Sequence, residues 1–164
     1  MLATNIRAKN TTTFIKQNQT AKDIATAIVK SIKESKDDAS KIAPYLKGSN
    51  KVQSLENIFI FCKNNIKYNK ESTDLQTART IGRILSMKAG DCKHYTTTIA
   101  SLCNALNIPV KLRLISQNYF SSDPTHIYCI ANVKGKDFII DPVLKNFNEE
   151  ASFTKKYDIN LKQT

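Results

Sequence analysis

Apolar positions recur along this chain at two spacings: three to four residues apart up to about residue 106, and two apart beyond it. That change of period predicts helices first and a short antiparallel sheet afterwards, the layout of an α+β domain. Thr20-Ala21-Lys22-Asp23 reads as a capped helix start, and Ile24, Ile28 and Ile32, helped by Ala25 and Val29, give that helix one apolar face. Ser35 to Ser40 is polar, and Ile42, Tyr45 and Leu46 form a short element stopped by Gly48. From Lys51 to Lys67, Val52, Leu55, Phe59, Cys62 and Ile66 fall at core spacing for a helix. Tyr68 to Asp74 is a polar connection, and Gln76 to Lys88 predicts a further short helix through Ala78, Ile81, Ile84 and Leu85.

The next helix is the one around which the chain is organised. Ile99, Leu102, Cys103 and Leu106 form its stripe, Asp91 is a good N-cap, Asn107 suits the C′ position and Pro109 prevents extension. Gly90 permits a sharp turn into it. Beyond Pro109, Val110 to Ile115 alternates like a half-buried strand, and Ser116 to Thr125 is a loop containing Tyr119 and Phe120. His126 to Val133 and Lys136 to Ile140 then read as a hairpin turning at Lys134-Gly135. The tail carries Phe147, Phe153 and Tyr157, which are expected to clip it onto the body. Residues 1–19, rich in Thr, Asn and Lys, read as a polar N-terminal arm, and 20–164 as a single domain.

Candidate chemistry starts at Cys92, the first residue of the central helix. Unpaired N–H groups and the positive end of the helix dipole favour a thiolate there, whereas Cys62 and Cys103 occupy apolar stripe positions and Cys129 alternates away from His126. A nucleophilic cysteine needs a base, and the chain offers two histidines. His94 lies about 200° round the same helix and points away from Cys92, which leaves His126. With a two-residue turn at Lys134-Gly135, Tyr128 faces Asp141 and His126 lies diagonally from Asp141 on the same face. A three-residue turn without a bulge would separate them. Cys92, His126 and Asp141 then read as nucleophile, base and orienting carboxylate.

Composition narrows the classes. A chain of 164 residues can bury its own core, has no apolar run long enough for a membrane span, and has no apolar leader after Met1. The four cysteines show no Cys-x-x-Cys spacing, so neither a disulfide framework nor a zinc site is expected, and no cofactor is implied. The net charge of +11 is spread over nearly every segment. It implies attraction to anionic surroundings such as a cell-wall polymer, a packaged genome or an acidic partner, or simply a solvated basic surface. No nucleic-acid motif accompanies it, so a basic nucleic-acid-binding protein is the weaker reading.

Gly90-Asp91-Cys92 opening a helix, a histidine opening a strand and Asp141-Pro142 ending the next strand resemble the transglutaminase-like superfamily, relatives of papain-type cysteine peptidases. Asn65-Ile66-Lys67-Tyr68 upstream, and Asp141-Pro142-Val143-Leu144 with Phe147-Asn148-Glu149-Glu150 downstream, extend the likeness. The Gly-Asp-Cys-Lys-His form is similar to the small single-domain members of bacterial prophages and Bacteroidetes mobile elements. The resemblance implies a papain-like α+β fold, with N-terminal helices and the catalytic cysteine's helix packed on a short antiparallel sheet. It implies attack on a peptide or protein amide through an acyl-enzyme. The oxyanion would be held by the Cys92 N–H and a side chain upstream, for which Tyr68 and Gln76 are the candidates. Apart from the resemblance, the place of Tyr119 and Phe120 on the loop just before His126 makes them either lining of the substrate cleft or ordinary apolar cover. The chain has no Trp, so the tryptophan used by animal transglutaminases is missing, and a peptidase or amidase is expected over a cross-linking enzyme. The alternative role is a virion or mobile-element structural component that retains the fold and touches other virion proteins. Either role places the protein in the cytoplasm of the producing bacterium or in a virion.

Overall fold

The structure, a computed structural model, describes residues 10–15, 20–72, 74–121 and 123–161. Among the described residues, five α-helices surround or form the core: α1 (Ala21–Glu34), α2 (Lys36–Ile42), α3 (Lys51–Asn65), α4 (Ile81–Met87) and α5 (Cys92–Ala105). A four-stranded antiparallel sheet follows, in the order β7 (Lys136–Ile140), β6 (His126–Val133), β5 (Val110–Ser116), β8 (Lys155–Asn160). Two small pairs complete the fold: β1 (Thr12–Ile15) with β3 (Gln76–Arg79), and β2 (Lys67–Tyr68) with β4 (Ala89–Gly90), the latter parallel. This is the α+β architecture the periodicity predicts. Among the described residues no helix is long and apolar enough to cross a membrane.

Helix α5 is buried on every side rather than along one stripe. Every residue from Lys93 to Cys103 is inaccessible, because α1, α2, α3, α4 and β6 all pack on it. Its polar residues tolerate this by turning their hydroxyls back onto the helix. Thr96, Thr97, Thr98 and Ser101 donate to the carbonyls of Cys92, Lys93, His94 and Thr97. A buried hydroxyl with no partner would cost about 1–3 kcal/mol each, so this local pairing makes a threonine-rich helix usable as a core.

The main departures from the sequence reading have tertiary causes. The polar stretch Ser35 to Ser40 is largely helical as α2, whose Asp38, Ala39 and Ile42 are buried. Ser35 is itself fully buried and accepts the Ile81 N–H at 2.9 Å, tying α1 to the start of α4. The helix predicted over Gln76 to Lys88 divides: its first four residues are β3, drawn into strand by pairing with β1, and Ile81–Met87 alone is helical. That same pairing gives part of the polar arm a structure, since Thr12–Ile15 is β1; residues 1–9 and 16–19 lie outside the described residues. The tail also contributes strand β8, whereas Tyr157 remains about half exposed.

The hairpin has the two-residue turn. Val133 pairs with Lys136 and Cys129 with Ile140, and Lys134 and Gly135 both have positive φ, 53° and 82°. This is the geometry whose twist matches the strands it joins. The register places Ile127, Cys129 and Ala131 against the main core and Tyr128 and Ile130 in a second cluster on the opposite face.

Candidate active site

Cys92 is the first residue of α5 and, unlike the other three cysteines, is only half-buried. Asp91 caps the helix, accepting from Lys93 N at 3.0 Å, while its own N–H donates to His94 Nδ1 at 3.0 Å. Gly90 does not adopt the positive φ of a left-handed turn. It is required for close approach instead, because a Cβ there would lie 2.5 Å from the Cβ of His94.

The structure brings His126 and Asp141 together, with His126 Nε2 at 2.6 Å from Asp141 Oδ2. Asp141 is buried, and its other oxygen accepts from Val143 N at 3.1 Å. Lys63 on α3 donates to the carbonyls of Pro142 and Leu144, fastening the segment that carries the carboxylate. Cys92 is close enough to act on the imidazole as well, and with Nε2 committed to Asp141 the nitrogen left for it is Nδ1. Burial opposes charge on this ring, but hydrogen bonds to Asp141 and Cys92 prevail and lift His126 to about 9. The other thiols are driven the opposite way: burial pushes Cys103 up to about 12 and raises Cys62 and Cys129 as well.

Of the two upstream candidates, Tyr68 lies on the strand that pairs with the turn before Cys92, opposite Gly90. Tyr68 stacks on Tyr95 at 6.3 Å between ring centroids. Burial raises its phenol, and charge on Cys92, Asp91 and Asp141 adds to that, so the O–H stays intact as a donor. Gln76 is not brought in. Its amide donates to Ser72 O at 2.7 Å, and none of its described contacts involves Cys92, His126 or Asp141. Tyr119 and Phe120 are 85% and 100% exposed, on the loop that leads into His126.

Several supporting groups escape the sequence reading. Thr96 Oγ1 lies 2.8 Å from Cys92 O and 3.2 Å from Ile127 O, bridging the backbone of the cysteine's turn to that of the histidine's strand. Tyr128 packs its ring 5.6 Å from that of His126 and donates its hydroxyl to Glu150, which also accepts from Arg113. Glu150 therefore fixes the ring that packs against the histidine. Thr96 could have been anticipated from its i+4 spacing to Cys92, and Tyr128 from its place two residues along the strand. Glu150 stands in the sequence only as part of Phe147-Asn148-Glu149-Glu150, where nothing local assigns it this role.

A half-buried thiol at a helix start and a linked His–Asp pair on the adjoining sheet define, with the α+β architecture, a domain of the transglutaminase-like class. A family model described as a transglutaminase-like domain matches residues 37–163, and the chain belongs to that family. Its fold is similar to a candidate protease from Parabacteroides distasonis, with TM-score 0.61 and 21% identity over 73% of this chain and 26% of that one. It is similar also to a candidate cysteine protease from Cytophaga hutchinsonii, with TM-score 0.52 and 20% identity over 76% of this chain and 43% of that one. This chain thus spans less than half of either protein. No curated protein matches it.

Proposed function

We propose that this domain is a thiol enzyme that cleaves amides of a peptide or protein, with Cys92 as nucleophile, His126 as base and Asp141 as orienting carboxylate. The observation that carries the reading is the 2.6 Å contact between His126 Nε2 and Asp141, with Cys92 as the other side-chain partner of the same ring. His126 takes the thiol proton, and the Sγ–carbon bond forms as the carbonyl oxygen gains charge. That oxygen is held by the Cys92 N–H and the Tyr68 hydroxyl. Collapse breaks the carbon–nitrogen bond, and His126 delivers its proton to the leaving amine. Water then enters by the same route and releases the acid and the free thiol.

Turnover of a peptide library in the presence of a labelled primary amine tests this reading. The expected products are new carboxyl groups, read by mass spectrometry as cleaved or deamidated peptides. Amine adducts in their place would make the enzyme a transferase, and the absence of both from a folded protein would overturn the assignment.

A further inference from the structure

Beneath Cys92 lies a group of side chains that the proposed chemistry does not use. Asp91, Lys93, His94 and Thr77 are each at most 4% exposed, and Glu71 joins them from the connection between β2 and β3. Glu71 is the hub. Its carboxylate accepts from Thr77 N at 2.7 Å, from the Thr77 hydroxyl and from Arg79 at 2.6 Å, and it lies 3.5 Å from Lys93 Nζ. Lys93 Nζ also donates to Asp91. His94 accepts the Asp91 N–H on Nδ1, and its Nε2 faces Thr77 Oγ1 at 3.3 Å. Burial pushes the Asp91 carboxyl up, but His94 and Lys93 outweigh it and hold Asp91 well below the usual carboxylate range.

Glu71, Asp91 and His94 are close enough together to suggest a metal site. The donor set argues otherwise. The Lys93 ammonium already lies between the two carboxylates, and with Arg79 it balances two negative charges with two positive ones. A divalent ion there would have to displace a buried cation.

The balance matters because of what the hub connects. Tyr68 is held to the α5 turn by a two-residue strand pair, through Lys67 N to Lys88 O at 2.9 Å and Asn69 N to Gly90 O at 2.8 Å. Three residues later Glu71 returns to α5 and grips Lys93, the residue next to Cys92. We propose that Glu71 is a positioning residue for Cys92: through Lys93 it joins the strand bearing Tyr68 to the first turn of α5 and keeps the charge beneath the nucleophile balanced. This rests on the reading of Cys92 as nucleophile. Among the described residues, the other charged or titratable groups around Cys92 include Asp91, Lys93 and His94 on its own turn, Tyr68 from β2, His126 from β6 and Asp141 after β7.

The test is the pH profile of Cys92 carboxamidomethylation in the wild type, Glu71→Gln, Lys93→Met and the double variant, with thermal melting alongside. Glu71→Gln leaves one positive charge uncompensated and should move the midpoint down by about one pH unit. Lys93→Met leaves one negative charge and should move it up, and the double variant should return it to the wild-type value. A merely structural role would lower melting temperatures without these opposite shifts. Should Lys93→Met not fold, the isosteric Glu71→Gln decides alone, and a midpoint unchanged or raised overturns the inference. If wild-type Cys92 is not alkylated selectively, the nucleophile assignment fails; if it is, and Glu71→Gln leaves the profile unmoved, only the role of Glu71 fails.

Discussion

The chain has two histidines, and each contacts an aspartate, yet the two regions are opposites. His126 sits at the mouth of the fold with a side chain 12% exposed, bonded to Asp141 on one nitrogen with Cys92 as its other partner. His94 is wholly buried, accepting the Asp91 backbone N–H and facing Thr77 and Glu71. Each histidine has a carboxylate neighbour, so that feature alone does not mark a base. What separates them is the partner on the second nitrogen: a half-exposed thiol for one, a buried hydroxyl for the other.

Exchanging each histidine for alanine should split the regions most widely. His126→Ala should lower turnover by about 10⁴-fold or more, and at low pH it should also cost stability, because it strips the buried Asp141 of its partner. His94→Ala should cost about 2–4 kcal/mol by opening a cavity and stripping partners from Asp91 and Thr77. The molecules that still fold should keep turnover within an order of magnitude. Denaturant melts paired with rate measurements check both, and a folded but inactive His94→Ala would reverse the assignment of the base.

Asp141→Asn sharpens the same contrast with a smaller effect. The amide can hold the imidazole but cannot stabilise imidazolium, and in serine enzymes that loss is near 10⁴-fold. A thiol gives up its proton more readily than an alcohol, so the loss here should be smaller, on the order of 10- to 10³-fold, with kcat falling and KM little changed.

The smallest effect is on stability against pH. His126 is lifted in the fold from 6.5 to about 9, so its contribution is fully present below about pH 6.5 and is lost as pH rises through about 9. The melting temperature of the wild type should therefore approach that of His126→Ala across that window. A gap that widens with rising pH would mean that the ring is not held as a cation.

Legibility followed the range of the interactions. Helix α5 could be read because its stripe, its Asp91 cap and its Pro109 stop all lie within one stretch, and the hairpin because Lys134-Gly135 sits between two alternating runs. The His126–Asp141 pairing followed from that turn alone. Strand β3 could not be read, because Gln76–Arg79 becomes extended only through β1, more than sixty residues earlier in the chain. The network around Glu71 was equally silent. Lys93 and His94 look like the polar face of a helix until a carboxylate twenty residues upstream of Asp91 is folded against them.

Limited iodoacetamide labelling near neutral pH, mapped by mass spectrometry in the wild type and in His126→Ala, tests the central claim most directly. Cys92 should be modified first and almost alone in the wild type, because burial holds Cys62, Cys103 and Cys129 as protonated thiols. Its rate should fall sharply once His126 is removed. Labelling of any other cysteine ahead of Cys92, or a Cys92 rate indifferent to the loss of His126, would contradict the account.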